Sequence, residues 1–175
     1  MMDLAPLPRY DFRDRRLFTE YLSFCHALMV ASGPLLDAAI PKLGDGPVRT
    51  YYAKHREEEH EHASWQANDL GTEDVVPGQV NWHAARLAGT QYYLLEHVSP
   101  VCLLGYMYAL ESRPMPLSDV ALLESWHGPD LCRTLRYHAV HDLDHREDLI
   151  RFIATLPQRA LDLVAENARR TALSL

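Results

Sequence analysis

Apolar residues along the chain recur at spacings of three and four, and proline and glycine interrupt them at intervals. Residues at i, i+3, i+4 and i+7 share one face of a helix, so the pattern predicts helices. A first helix is predicted over 12–32, stopping at Gly33-Pro34, and a short second one over 35–43, before Gly44. The third covers 47–70 and ends at Gly71. A fourth covers 81–111, with a kink at Ser99-Pro100, where proline removes a helix hydrogen bond and clashes with the preceding turn. The fifth runs over 118–126 with Ser118 as N-cap, the sixth over 129–156 with Pro129 in its first turn, and the seventh from 158 onward. Alternation of period two never lasts beyond a few residues, so no strand is predicted. The expected fold is all-α, a bundle of about seven helices.

The chain has 175 residues, 47% of them hydrophobic, which is enough to bury one core. No repeat, low-complexity tract or linker divides it, so residues 1–175 are expected to form a single domain. A net charge of -7 argues against nucleic acid, whose phosphates need clustered Lys and Arg. The densest basic spot, Arg13, Arg15 and Arg16, has acidic neighbours. The longest stretch free of charge and histidine, 98–110, is too short to cross a bilayer, which argues against a membrane protein. The opening MMDLAPLPRYD lacks the basic-then-apolar order of a secretion signal. Cys25, Cys102 and Cys132 have no metal-ligand spacing and suit a reducing cytoplasm, the expected location. The sequence leaves the assembly open, with a homodimer the favoured case.

The ten histidines change the picture, because most of them fall in two short stretches. On the third predicted helix, His55, Glu58, Glu59 and His62 lie within about 100° of one another, and Trp65, Gln66 and Asp69 extend that face. Glu57, His60 and Glu61 point elsewhere and read as solvated. Glu59 and His62 form a Glu-x-x-His pair, the spacing with which carboxylate-bridged diiron bundles present an oxygen and a nitrogen to one ion. On the sixth helix, His138, Asp142 and His145 lie within about 60°, with His141 on the shoulder of the stripe. Leu131, Leu135 and Leu149 continue the same stripe, so it faces inward. Two histidines and an aspartate on an apolar face are expensive to bury unless something positive pairs with them. A third contribution comes from the fourth helix, where Glu111 is the first charge after the apolar run. A carboxylate there is either a helix end meeting solvent or a buried ligand; Glu96 is a weaker competitor.

Imidazole and carboxylate without thiolate suit iron or manganese better than structural zinc. Six ligands, Glu59, His62, Glu111, His138, Asp142 and His145, are enough for two ions, and two ferrous ions can supply two electrons to O₂. Glu58, His55 and His141 are read as further ligands or as partners behind the ligands.

The string His138-x3-Asp142-x2-His145 resembles the third core helix of the haem-oxygenase-like diiron oxidases and oxygenases. His55, Glu58, Glu59, His62 and Trp65 look like their first core helix, and the YALES segment is similar to the place where they supply a middle-helix glutamate. The resemblance implies a haem-oxygenase-like bundle with a metal-binding core over about 47–156, and it favours Glu111 as a ligand. It departs from several members at His55, which stands where they carry a glutamate; others use the spacing of Glu59 and His62. It implies an iron enzyme, with two ions and O₂, that oxidises an amino acid, a fatty acid or a related small metabolite. The reactions implied are N-oxygenation, desaturation or C–C cleavage, often in natural-product biosynthesis. Tyr93, Tyr108 and Trp65 are candidates for the substrate pocket, together with Tyr92 and Tyr106. Two other readings use the same scaffold: a haem-binding or haem-degrading protein with His26 as axial ligand, and a metal-free small-ligand-binding protein.

Overall fold

The computed structural model describes residues 11–71 and 80–175. Residues 1–10, where a secretion signal would begin, lie outside the described residues. Among the described residues there are eight α-helices and no strand. They are α1 (Arg15–Ala39), α2 (Pro47–Glu58), α3 (His62–Leu70), α4 (Trp82–His97), α5 (Leu103–Glu111), α6 (Leu117–His127), α7 (Arg133–Ile153) and α8 (Gln158–Ala172). Short 3₁₀ turns precede α5 and α7 and follow α1.

Several boundaries differ from the sequence reading. Ser118 lies inside α6, whose N-cap is Pro116, and 129–132 form a 3₁₀ turn before α7. Three larger differences concern whole helices. The first helix does not stop at Gly33-Pro34 but runs through both residues. Leu35, Leu36 and Ala39, beyond the proline, are fully buried, and that packing outweighs one lost hydrogen bond. Gly33 serves a close approach instead: a Cβ there would lie 3.3 Å from the Arg56 guanidinium carbon. Arg56 donates from Nε to Asp37 Oδ1 at 3.0 Å, which ties α2 to α1. The stretch Arg15–Lys42 is long and apolar enough to cross a membrane by length and composition, which the count of uncharged runs missed. In this fold, however, it supplies core residues along its length.

The predicted third helix is two helices, broken at Glu59-His60-Glu61. No proline or glycine stands there. Glu57, Glu58, Glu59 and Glu61 crowd successive turns with like charge, which weakens a helix. His60 donates from Nδ1 to the Glu57 carbonyl at 2.7 Å, and the backbone N–H of His62 donates to the Glu59 carbonyl. The fourth predicted helix breaks fully at the expected kink. Ser99 is extended (φ -168°, ψ 137°), and its hydroxyl accepts from the Val101 N–H. The buried Tyr52 hydroxyl donates to the Pro100 carbonyl at 2.8 Å.

Two apolar clusters form the core. One gathers Leu28, Leu35, Tyr52, Leu87, Leu104, Leu149 and Val164; the other gathers Phe18, Leu22, Leu70, Val120, Leu123 and Ala139. α1 passes through both. α8 is locked to the first by Asn167, which is buried and donates to Gln91 Oε1 at 2.8 Å and to the Cys102 carbonyl at 2.6 Å.

α3 and α7 are joined by Asp69. Its carboxylate, 3% exposed, accepts from the Thr134 N–H at 2.5 Å and from Arg133 Nε at 3.0 Å. Arg133 is 60% exposed, so its ion pair contributes little; the charge-assisted bond at the N-terminus of α7 dominates. Asp69→Ala is expected to lower stability by about 2 kcal/mol in urea unfolding at an unchanged m-value.

Candidate metal centre

A cavity of about 190 Å³ lies between the two apolar clusters, and its wall draws on both. At one end stand His55 from α2, Glu59 from the break before α3, Glu111 from the end of α5, and His138 and Asp142 from α7. His62, at the start of α3, packs behind them, its ring centroid 4.8 Å from that of His138 at 89°. Most of the remaining wall is apolar, including Leu28, Met29, Leu36, Leu103, Met107 and Leu135.

The side chains form two adjacent sets. In one, His62 donates from Nδ1 to Glu59 Oε2 at 3.0 Å, and His138 donates from Nδ1 to Asp142 Oδ1 at 2.9 Å. In the other, His55 Nε2 lies 3.3 Å from Glu111 Oε1, and Glu58 approaches His55 Nδ1 at 3.9 Å. His62 and His55 are 1% and 6% exposed, so bulk solvent scarcely reaches either ring.

Electrostatics couples the two sets. Burial pushes the Glu111 carboxyl well above the usual carboxylate range, and the negative charges of Glu59, Asp142 and Glu58 push it the same way. Burial also works against ionised Glu59, but the bond from His62 and the charges of His62, His55 and His138 outweigh it and hold this carboxyl low. Burial works against charged His138; the bond to Asp142, with the charges of Asp142 and Glu59, reverses the balance and raises its pKa. Burial prevails at His55, whose pKa is lowered despite Glu59 and Glu58. The centre therefore holds more carboxylates than its own cations neutralise.

Among the described residues, no group of three or more His, Cys, Asp and Glu side chains is arranged to hold an ion as it stands. Of the buried side-chain atoms without a hydrogen-bond partner, three belong to this centre: His62 Nε2, His138 Nε2 and Glu111 Oε2. An Nδ1–H held by a carboxylate leaves the Nε2 lone pair of a neutral imidazole available, the arrangement in which histidines commonly bind metals. Unpartnered nitrogen and oxygen donors at a carboxylate-rich site fit a divalent cation, and they fit iron in particular because no thiolate is among them.

The other residues singled out from the sequence divide clearly. His145 is half-buried at the edge of the centre, its ring 6.5 Å from that of His55, and it is not on the cavity wall. His141 is exposed and stacks on Tyr137 at 4.3 Å. Glu96 is exposed and pairs with Lys42. Glu57, His60 and Glu61 are turned outward. The expected pocket aromatics need correction: Tyr93, Tyr108 and Trp65 are all absent from the wall. Tyr93 is 62% exposed, because it sits about 200° around α4 from buried Gln91. Tyr92 is likewise exposed. Tyr108 bears the same relation to Tyr106 and packs against the core. Trp65 covers the His62 ring at 4.8 Å from outside. The wall aromatics are Tyr21 and Tyr106. Tyr21 lies on α1, outside the span 47–156 expected for the metal-binding core, and so do Leu22, Cys25, Leu28 and Met29. Their i, i+4 spacing was visible in the sequence, but nothing there said which element they face.

Glu111→Gln offers a test of the coupling. In metal-free protein the raised pKa of Glu111 means that, above the ordinary value of 4.5, the folded state binds more protons than the unfolded one. Stability is then lost as pH rises through that window. The variant is expected to lose less stability than the wild type as pH rises above the ordinary carboxylate range, read by thermal melts. Equal pH slopes would count against a strained Glu111.

No family model and no curated protein matches the chain. Its structure is similar to the crystal structure of a domain of unknown function with a haem-oxygenase-like fold from Shewanella denitrificans, at a TM-score of 0.70 and 17% sequence identity. The match covers 94% of this chain and 78% of that one. The helices that converge on this centre thus belong to a haem-oxygenase-like fold.

Proposed function

We propose that the chain is a non-haem iron enzyme that holds two ferrous ions and uses O₂ to oxidise a small metabolite bound in the cavity. One observation carries this reading. Buried imidazoles and carboxylates from three helices and a helix break meet at one end of an otherwise apolar cavity, and His62 Nε2, His138 Nε2 and Glu111 Oε2 are left without partners. Each such atom destabilises the protein unless a partner completes it, and bound cations would supply that partner while offsetting the repulsion at Glu111.

His55, Glu58, Glu59, His62, Glu111, His138 and Asp142 are the residues that would hold the ions, with His145 within reach at the edge. Bound ferrous iron would supply electrons to O₂. Glu59 and Asp142 hold the Nδ1 protons and so orient the His62 and His138 rings. Burial and the neighbouring carboxylates favour the protonated form of Glu111, and a bound cation would take the place of that proton. The leucine and methionine walls make the surroundings of the reacting end largely apolar. The resemblance of the two His/carboxylate motifs to the haem-oxygenase-like diiron oxidases supports the same reading.

A haem protein has less support. His26 is off the cavity wall, and about 190 Å³ is below the roughly 300–1,000 Å³ of pockets that take drug-sized ligands. Anaerobic ferrous titration tests the proposal, read by Mössbauer spectroscopy and thermal melting before O₂ is admitted. Iron is expected to bind at about two per chain, to raise the melting temperature, and to give O₂-dependent absorbance transients. If ferrous ion neither binds nor stabilises the protein, the metal-free ligand-binding reading replaces this one.

A further inference from the structure

Among the polar side chains of the cavity wall that the metal centre does not use, two have buried donors without a partner. Gln66 stands on α3 one turn beyond His62, and Tyr106 stands on the inner face of α5 with Leu103, Met107 and Leu110. They are 1% and 2% exposed. Gln66 Nε2 and the Tyr106 hydroxyl are both buried without a hydrogen-bond partner. The other polar wall residues are engaged: Ser32 donates to the Leu28 carbonyl at 3.1 Å, Tyr21 bonds Cys25, and Arg113 is likewise not free. Folded proteins rarely leave amide and hydroxyl donors buried and unbonded, and an apolar cavity is where such donors discriminate most strongly between ligands.

We infer that Gln66 and Tyr106 select the ligand of this cavity by donating hydrogen bonds to an uncharged carbonyl group on a small apolar body. The inference rests on the proposed function only in calling that ligand the substrate. Size follows from volume. An apolar cavity of about 150 Å³ takes benzene, so about 190 Å³ takes a ring with a short substituent, on the order of nine non-hydrogen atoms. Charge follows from the surroundings. Both donors are neutral, so neither offsets the cost of burying an anion in this largely apolar cavity. The carboxylates of Glu59 and Asp142 add negative charge to its wall, and the wall's Arg113 is already engaged elsewhere. Burial raises the Tyr106 pKa, which keeps its O–H as a donor across neutral pH.

The test uses the full chain, metal-free, titrated by calorimetry with benzamide, benzoate and isopropylbenzene, which share one shape. Benzamide is expected to bind the wild type more tightly than either of the others. Gln66→Leu and Tyr106→Phe should each weaken benzamide about tenfold and leave isopropylbenzene unchanged or tighter. Each variant should also melt about 2–4 °C higher without ligand, because an unsatisfied donor has been removed. Unchanged benzamide affinity in both variants would overturn the inference and leave the two donors to ordered water. So would a wild-type preference for benzoate, or melting temperatures that fall in both variants. Iron is absent from these titrations, so their failure leaves the metal reading standing, and a failed ferrous titration leaves the carbonyl preference standing.

Discussion

Gly105→Ala is expected to destabilise the protein by about 3 kcal/mol, at the upper end of what overpacking a core usually does. Gly105 is buried on α5 where that helix packs on α8. A Cβ there would overlap the Val164 carbonyl oxygen, lie 2.8 Å from the Ala168 nitrogen and come within 3.1 Å of the Asn167 Cβ. Two of these three neighbours are backbone, so no side-chain rotation relieves the clash and the helices must separate. Separation would also strain the bonds from Asn167 to Gln91 and to the Cys102 carbonyl. At about 2–4 °C per kcal/mol, the melting temperature should fall by roughly 6–12 °C. Gly89→Ala is the matched control: it lies within α4, exposed, with nothing within 4 Å of the added carbon. Alanine there should raise stability by about 0.5–1 kcal/mol through helix propensity alone. Gly105→Ala melting at the wild-type temperature would show that the α5–α8 contact is looser than described. The effect reaches the site as well, because α5 carries Tyr106, Met107 and Glu111 along the cavity.

The second large effect is expected at the centre itself. Under the proposed function, His62→Ala and Glu59→Gln should each lower bound iron by about half or more and slow O₂ consumption at least about 10²-fold, since even residues that only orient ligands change metal affinity 10–100-fold. The two positions are linked by a 3.0 Å bond, so the double variant should be little worse than either single one. His60→Ala is the control. It is a neighbour in sequence, but its side chain is 55% exposed, and the variant should keep wild-type iron content and O₂ consumption. Full iron and normal rates in both site variants would remove the centre from the chemistry. Thermal melts of metal-free protein separate loss of metal from loss of packing, a needed control because His62 is buried against Trp65, Tyr137 and His138.

Much was legible in the sequence because helical periodicity is a local property. The spacing of leucines and histidines on 131–149 predicted an inward stripe, and the structure buries Leu131 in the turn before α7 and Ala139 and Leu149 on it, and half-buries His138 and Asp142. Ser99-Pro100 marked a break for the equally local reason that proline cannot donate. Gly33-Pro34 carried the same signal and misled, because burial of Leu35 and Leu36 against distant elements decided the outcome. The break at Glu59-His60-Glu61 carried no punctuating residue at all, only a density of like charge.

The sequence by itself thus determined an all-helical chain with two histidine-carboxylate stripes, since covalent geometry and side-chain type set the period and the donor chemistry. Tertiary structure decided which donors meet. His55 came to face Glu111, 56 positions away, while Tyr93 turned to solvent and α1 closed the cavity over the centre. Such choices depend on how helix faces pair across the bundle, and pairing is settled by the summed burial of many side chains, which no local window contains.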